Sequence, residues 1–385
     1  MHSFALFLSE AKAGPGIQHI EHPSDRLFDG KEAAHHALNT LKNVANGSAP
    51  VTRKIDDRMS FQVIRDEHGR VGVKYKGPGS HYNFTPEDID KQHGHKPYLA
   101  HPLKLLLEHA HKVLPNHPGE YQGGFMSGPE SRTIEDGKIS HQPNTIKYST
   151  PVESEEGKKL KNSKVSMTVH TELKGPNKEA HPLSTLHGFK EHPDVHLVNH
   201  VVSSEDQRKI DPKIRSQAEG HIKQAEAAMH GHDCSHLEGH EEKLRRYINS
   251  TVSSGETPST DGYKHFLKEK VHDPEINKVK MEKTKNAKTA VRDADLDHVE
   301  KNRQHFDKSF KIHGHLQAAT NLLARGLGKV AGGEFEHHID GQETGPEGFV
   351  SNGLKIVDRG EGGFSAANRA RSAILKASPT LAKKV

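Results

Sequence analysis

The chain has 385 residues, of which 31% are hydrophobic and 28% are charged, with a formal net charge of +4 at neutral pH. This length holds two average domains or one elaborated domain, and the mildly basic charge permits binding to a polyanion without requiring it. The single cysteine, Cys234, excludes an internal disulfide and is typical of a reducing compartment, and no apolar run approaches the roughly 20 residues of a membrane span, so we expect no membrane partner.

Residues 1–16 form a short amphipathic segment that contains Leu8-Ser9-Glu10. It resembles the capsid-targeting peptides of large tailed phages, which a prohead protease cuts after such a triplet, and the resemblance implies cleavage after Glu10. An ordinary terminal helix explains the same residues equally well. The resemblance would place the protein in the host cytoplasm, with packaging in a phage capsid as a further expectation.

Residues 17–203 carry the first helix and several strands. Apolar spacing predicts a helix over Lys31–Ala45, which Asp29 can cap. Alternation predicts strands over Val51–Ile64 and Val71–Lys76, joined by a turn at Asp66–Gly69. These patterns predict a hairpin that follows a helix.

A second set of elements follows the hairpin. Leucine spacing predicts a helix over Pro102–Leu114, and further strands are predicted over Asn144–Thr150 and Lys164–Leu173. From Ser204, where Ser204–Gln207 is typical of a helix start, helical spacing dominates, so we interpret residues 204–330 as a helical insertion. Strand patterns return in residues 331–385, which end in a basic tail.

Histidine is unusually frequent, with 33 residues dispersed along the chain. The densest segment, His230–His236, matches no paired-ligand spacing of a zinc site. We therefore interpret these histidines as solvated residues of a polar insertion and predict no zinc.

Lys54 stands in the sequence Thr-Arg-Lys-Ile-Asp-Asp-Arg, and Asp56 lies on the same face of a strand two residues later. Gly-Glu-Tyr around Glu120, Glu-Gly-Phe-Val from Glu347, and Leu-Lys-Ile-Val around Lys355 follow in that order. The ordered set resembles the nucleotidyltransferase motifs of the ATP-dependent DNA and RNA ligases, in which the lysine of a K-x-D-G box is adenylated. Similar boxes occur in uncharacterised ligase-like proteins of large tailed phages.

The resemblance implies an α+β fold in which two antiparallel sheets enclose a nucleotide cleft, with the large helical insertion on one rim. It also implies a role for each matching residue. Lys54 would be the nucleophile, and Asp56 would orient the amine or contact nucleotide. The remaining implied contacts are ribose for Glu120, the metal for Glu347, the α-phosphate for Lys355 and the intervening basic segment for Lys76.

The implied chemistry is transfer of AMP from ATP to a lysine and then to a 5′-phosphate, which a 3′-hydroxyl displaces. A lysine amine with a pKa near 10.4 needs that pKa lowered to act as a nucleophile. The cofactors would be ATP and Mg2+ or Mn2+, since the candidate ligands are hard oxygens. The partners would be nucleic acid ends, either RNA or a nicked duplex. Only 26 residues follow Arg359, and they leave no room for the barrel of DNA ligases or for the helical appendage of RNA ligases. The missing barrel favours RNA over DNA.

Several positions depart from the family pattern. Asp57 replaces the glycine of the box, Met59 stands where arginine is frequent, and Lys355 lacks a second lysine two residues later. Lys54 and Glu347 are also 293 residues apart, which the insertion must explain. These departures leave two alternatives open: a ligase-like fold that binds nucleotide or nucleic acid without ligating, and a protein packaged in or injected from a phage capsid.

Overall fold

The computed structural model describes residues 20–331, 333–360 and 364–377. The predicted targeting peptide and its cleavage after Glu10 lie outside these residues. The α-helices are α1 (Lys31–Ala45), α2 (Pro86–His93), α3 (Pro97–His109), α4 (Glu155–Asn162), α5 (Ser204–Arg208), α6 (Pro212–Met229), α7 (Glu241–Ser254), α8 (Thr260–Phe266), α9 (Asp273–Asn277), α10 (Glu282–Lys301), α11 (Arg303–Val330) and α12 (Phe364–Ala377). The strands are β1 (Val51–Lys54), β2 (Met59–Arg65), β3 (Val71–Tyr75), β4 (Gly119–Ser127), β5 (Arg132–Glu135), β6 (Lys138–His141), β7 (Lys147–Pro151), β8 (Val165–Lys174), β9 (Glu179–Pro182), β10 (Val195–Leu197), β11 (Val201–Val202), β12 (Glu336–Ile339), β13 (Gln342–Thr344), β14 (Gly348–Ser351) and β15 (Leu354–Ile356).

The described strands form three sheets, with orders β11-β1-β14-β15, β10-β8-β4-β2-β3 and β13-β12-β7-β6-β5, and β9 adds a sixth strand to the second sheet by pairing with β8. Every pairing is antiparallel except that of β10 with β8. The predicted mixture of helices and antiparallel sheets is therefore confirmed, whereas the predicted number of sheets was two. The difference arises because residues 132–151 fold into a meander of short hairpins that pairs with β12 instead of extending either of the other sheets.

The six-stranded sheet has one apolar face and one polar face, as strand alternation requires. Phe61, Tyr121 and Val169 lie on the apolar face, which packs against α3. Residues that pair in register share a face of the sheet, and the residues that share the opposite face are polar. These are Ser60, Gln62, Lys74, Glu120 and Gln122.

The four-stranded sheet is sided in the same way. Val51, Phe349 and Ile356 are buried against α1, α6 and α11. Thr52, two residues before Lys54, pairs with Val350, and Val350 pairs with Lys355. Lys54 and Lys355 therefore share a face of this sheet, and that face points away from the core.

Residues 204–330 contain helices and no strand, as the helical spacing of these residues predicted. Their own core is built around Tyr247, Tyr263 and Phe306. Helix α11 joins this core to the main one, since its first turns pack with these aromatics and its later turns pack against α1 and the four-stranded sheet.

The predicted strand Val51–Ile64 is in fact two strands, β1 and β2, which belong to different sheets, so Asp56 lies between strands and not on one strand face with Lys54. Two of the histidines predicted to be solvated, His232 and His236, are buried, and both contact the hydroxyl of Ser309.

Three predicted helix starts also need correction. Helix α1 has the predicted bounds, but Gly30 occupies its N-cap with a φ of 96°, while Asp29 instead bonds Arg26 and Arg245. Helix α3 begins at Pro97, five residues before the predicted Pro102, because a proline at the first helical position loses no hydrogen bond, and the helix continues through Pro102 in its interior. Ser203, rather than Ser204, caps α5 by accepting a hydrogen bond from Asp206 N at 3.0 Å.

Candidate functional site

Lys54 ends β1 directly opposite Gly348, the first residue of β14. This pairing places its ammonium against the carboxylate of Glu347, with Nζ in contact with Oε1. The Lys54 side chain is 30% exposed and that of Glu347 is 10% exposed. The antiparallel pairing of β1 and β14 thus brings together two predicted site residues that are 293 residues apart in the chain.

The charge state of Lys54 is set by two opposing influences. Burial acts to lower its pKa, but the charge and hydrogen bond of Glu347 outweigh burial, and the pKa of Lys54 is raised. In the absence of a ligand Lys54 is therefore an ammonium ion. An ammonium has no lone pair with which to attack phosphorus.

Glu347 has one carboxylate oxygen to spare. Its Oε2 atom is buried and has no hydrogen-bond partner among the described residues. A buried polar atom without a protein partner is completed by water, an ion or a ligand. The predicted metal contact at Glu347 is compatible with this open oxygen.

A cation at Glu347 would need most of its ligands from elsewhere. No group of three or more His, Cys, Asp or Glu side chains within the described ranges is arranged to hold a metal ion. Mg2+ is commonly held by one or two carboxylates together with substrate phosphates and water. The donor set fits a cation that arrives with a phosphorylated substrate and does not fit an all-protein metal cage.

Asp56 is held rigidly beside the ion pair. Its carboxylate accepts hydrogen bonds from Thr145 N at 2.7 Å, Ile146 N at 2.8 Å and Asn144 Nδ2 at 2.9 Å. Its own backbone N donates to the hydroxyl of Tyr148 at 3.0 Å. The loop before β7 therefore fixes the backbone that follows Lys54.

Asp57, the departure from the family box, lies over β4. It accepts a hydrogen bond from the Ser60 hydroxyl at 3.2 Å, and a Cβ at Gly124 would lie 2.2 Å from its carboxylate. Burial raises the pKa of Asp57 to about 6, against the influence of Lys54 and Ser60. Asp57 stands where the family box has glycine. Gly124 on β4 has no side chain, and this leaves room for the Asp57 carboxylate.

Lys76 and Lys355, two further predicted site residues, lie on different sheets. Lys76 follows β3, and its backbone N donates to Ser60 O at 3.1 Å, next to the contact between Ser60 and Asp57. Lys355 shares the face of Lys54 two strands away, and its backbone N donates to Glu21 O at 2.9 Å. Lys76 therefore lies at the end of the polar face that is close to Lys54. Lys355 lies on the four-stranded sheet, two strands away from Lys54.

His170 is a site residue that the sequence patterns did not indicate. The register of β4 against β8 shifts between Gln122 and Gly123, whose partners are Thr171 and Val169, so that His170 is left as the extra residue of a β-bulge. Bulges redirect side chains and are frequent near active sites. Burial lowers the pKa of His170 to about 3, and the nearby Lys76 and Lys54 act in the same direction. A neutral imidazole thus lies close to both lysines.

Glu120 lies apart from these groups. It is four residues from Gly124 on β4, about 13 Å along the strand. Its carboxylate accepts hydrogen bonds from the Tyr82 hydroxyl at 2.5 Å and from the ammonium of Lys178. The predicted ribose contact therefore lies at the opposite end of the polar face from Lys54 and has protein partners for both oxygens.

A large cavity adjoins the ion pair. Its volume is about 860 Å³, and Lys54 and Glu347 form part of its wall together with Arg53, Tyr148 and Phe335. Small-molecule sites usually enclose roughly 300 to 1,000 Å³. The cavity is therefore large enough for a nucleoside triphosphate.

Comparison with protein families gives one match, to the family of unknown function DUF6267, over residues 76–372. The chain belongs to this family. The matched range includes Lys76, Glu120, Glu347 and Lys355, and it begins after Lys54 and Asp56. Neither the curated proteins nor the solved structures provide a match. Among the described residues no helix has the length and apolar character needed to cross a membrane.

Proposed function

We propose that this protein is an ATP-dependent nucleotidyltransferase that forms a lysyl-AMP intermediate on Lys54 and passes the AMP to a polynucleotide 5′-phosphate, preferentially of RNA. The observation that carries the proposal is the ion pair of Lys54 with Glu347 at the wall of a nucleotide-sized cavity. Lys54 is partly buried, its partner has an open buried oxygen, and the following backbone is fixed through Asp56.

In the proposed reaction the Lys54 amine forms a bond to the α-phosphorus of ATP while the bond to the β-phosphate oxygen breaks and pyrophosphate leaves. Before this attack the ammonium loses one proton to water in the adjoining cavity, and the nitrogen loses a second proton to water as the phosphoramidate forms. When Glu347 separates from Lys54, burial lowers the pKa of the lysine, opposed only by the weaker influences of Asp56 and Asp57. Separation of the pair on substrate binding thus converts a resting ammonium into a reactive amine.

The remaining residues hold charge and geometry in place. Asp56 restrains the backbone after Lys54 through three hydrogen bonds. Lys76 supplies positive charge at the same end of the polar face, where negative charge develops during phosphoryl transfer. A divalent cation bound with ATP would neutralise phosphate charge, and the open oxygen of Glu347 is the protein ligand that we propose for it.

The proposal is tested by incubating the protein with ATP labelled on its α-phosphate in the presence of Mg2+ or Mn2+ and separating it on a denaturing gel. We expect covalent label on the wild-type chain and none on Lys54→Ala. Lys112→Ala is the matched control, because Lys112 is also a partly buried lysine in an ion pair, with Asp194, and lies outside the site. Absence of label on the wild-type chain would overturn the proposal.

A second candidate function is binding of nucleotide without transfer. The raised pKa of Lys54 favours it, since an ammonium cannot attack phosphorus. This candidate predicts that ATP raises the melting temperature of the protein and that the wild-type chain still remains unlabelled. Packaging in a phage capsid and the targeting peptide stay predictions, which the mass of the mature N-terminus would test.

A further inference from the structure

The helical insertion presents a strongly basic segment between Lys278 and Arg292, which we name the basic segment. Six of its fifteen residues are lysine or arginine, and Glu282 is its one acidic residue. Residues 280–287 of this segment are exposed except for their backbone contacts within α10. The charge is therefore concentrated on a part of the molecule that faces solvent.

The first two turns of α10 are exposed on all sides, and the first contact of the helix with a neighbouring element is that of Lys288 with Glu275. Val299, near the other end, is the one residue of the helix that is buried, and the second half carries the ion pair of Asp295 with Lys243. About 15 Å of helix, from Glu282 to Val291, extends from this packed end. A helix segment that is polar all round normally needs pairs between residues on successive turns or a partner.

Intramolecular ion pairs neutralise only part of the segment. Lys278 and Lys288 contact Glu275, and Arg292 contacts Asp273. Lys280, Lys283 and Lys285 form no ion pair or hydrogen bond with another side chain in the part of the chain that the structure describes. Three ammonium groups thus remain in water close to one another. Two exposed apolar residues, Met281 (69%) and Val291 (57%), flank them.

We propose that the basic segment is a docking surface for the phosphate backbone of a nucleic acid. Three lysines without an acidic partner at the exposed start of α10 complement the negative charge of a phosphate backbone, and each contact releases a condensed counterion. The bound phosphates would supply the negative charge that the helix lacks. This surface goes beyond the proposed AMP transfer and does not depend on it, because it requires no reactive lysine.

The test compares RNA binding by the wild-type protein with that of a variant carrying Lys280→Gln, Lys283→Gln and Lys285→Gln. The probe is a fluorescein-labelled RNA hairpin, and its anisotropy is followed at several salt concentrations. We expect the variant to bind at least about tenfold more weakly and its salt slope to fall by about 2 to 3, because each lost contact removes roughly 0.7 to 0.9 from the slope. Equal affinity and equal slope would overturn the proposal.

A matched control removes the same number of charges from lysines that already have acidic partners: Lys42→Gln, Lys104→Gln and Lys209→Gln. We expect this variant to bind RNA like the wild type. An equal loss in the control would show that net charge alone drives binding and would contradict the assigned surface. Binding of wild-type protein to phosphatidylserine vesicles but not to the RNA would likewise contradict it.

Two further readouts separate this surface from the transfer site. Hydrogen exchange of residues 282–291 should slow on addition of RNA in the wild-type protein and should not change in the variant. The variant should also become labelled by ATP as efficiently as the wild type. If no chain is labelled but the binding difference persists, the proposed transfer fails and the docking surface stands.

Discussion

Glu120 with Lys178 and Glu347 with Lys54 are both lysine–glutamate ion pairs, but their surroundings differ. Glu120 is 4% exposed, and its two oxygens accept hydrogen bonds from Tyr82 and Lys178. Glu347 uses one oxygen for Lys54 and leaves the other buried and without a described partner, next to a cavity. Both oxygens of Glu120 are thus satisfied within the protein, whereas Glu347 keeps one oxygen that a ligand can use, and this difference underlies the proposed function.

The largest difference between the pairs should appear when each lysine is replaced by arginine. Lys54→Arg keeps the charge opposite Glu347 but removes the amine, so we expect covalent labelling by ATP to fall to background. Lys178→Arg should be labelled at the wild-type rate. The rates are compared by quantifying labelled protein over time. Label that persists on Lys54→Arg would place the nucleophile elsewhere.

Asp56→Asn is expected to have the next largest effect. It replaces one carboxylate oxygen with an NH2 group, so a donor among Thr145 N, Ile146 N and Asn144 Nδ2 loses its acceptor, which costs about 1 to 3 kcal/mol. Burial and the charge of Glu347 raise the pKa of Asp56, so loss of the negative charge itself offsets part of this cost. We expect a loss of about 1 to 3 kcal/mol in the free energy of unfolding and a slower labelling rate. Urea unfolding and initial labelling rates measure the two effects. A loss of stability with an unchanged labelling rate would make Asp56 a structural residue only.

Glu120→Gln and Glu347→Gln should separate stability from ligand binding. Removing the charge of Glu120 leaves Lys178 unpaired, and since that lysine is 47% exposed we expect a loss of only about 1 to 2 kcal/mol. ATP with Mg2+ should still raise the melting temperature of this variant. Glu347→Gln should abolish that rise. The opposite pattern would assign the nucleotide contact to Glu120.

The response to pH provides the smallest of the expected effects. The pKa of His170 is lowered to about 3, from an unfolded value near 6.5, so its contribution to stability is present above pH 6.5 and is lost as the pH falls. The pKa of Asp57 is raised to about 6, so its contribution is present below about pH 4 and is lost as the pH rises through 6.

We therefore expect the free energy of unfolding of His170→Gln to fall less than that of the wild type between pH 6.5 and 4. We expect Asp57→Asn to have a higher free energy of unfolding than the wild type above pH 6. Urea midpoints measured from pH 4 to 8 give both slopes. His305→Gln is the control for His170, because His305 is exposed. A wild-type slope in His170→Gln would show that this imidazole is not buried as a neutral group.

Local pattern was sufficient for much of the fold. Apolar spacing predicted α1 at its observed bounds, alternation predicted the hairpin of β2 and β3, and loss of alternation after Ser204 predicted the helical insertion. Each of these depends on residues close together in the chain. The third sheet was missed because its closing strand, β12, is about two hundred residues away from β7 in sequence.

The sequence predicted the site residues that lie at the end of a motif strand. It did not predict the positions that depend on how distant strands pair. Lys54 and Glu347 meet because each lies at the end of its own motif strand. Glu120 was predicted on the same grounds, but the pairing of β2 with β4 places it at the far end of the sheet. His170 could not be found from sequence, since a bulge depends on how two distant strands pair.

The central claim is that Lys54 carries the AMP. Peptide mass spectrometry of the denatured protein after incubation with ATP and Mg2+ tests it most directly. The account predicts an AMP adduct on the peptide that contains Lys54, reversed by added pyrophosphate and absent from Lys54→Arg. No adduct, or an adduct on another lysine such as Lys178, would contradict it.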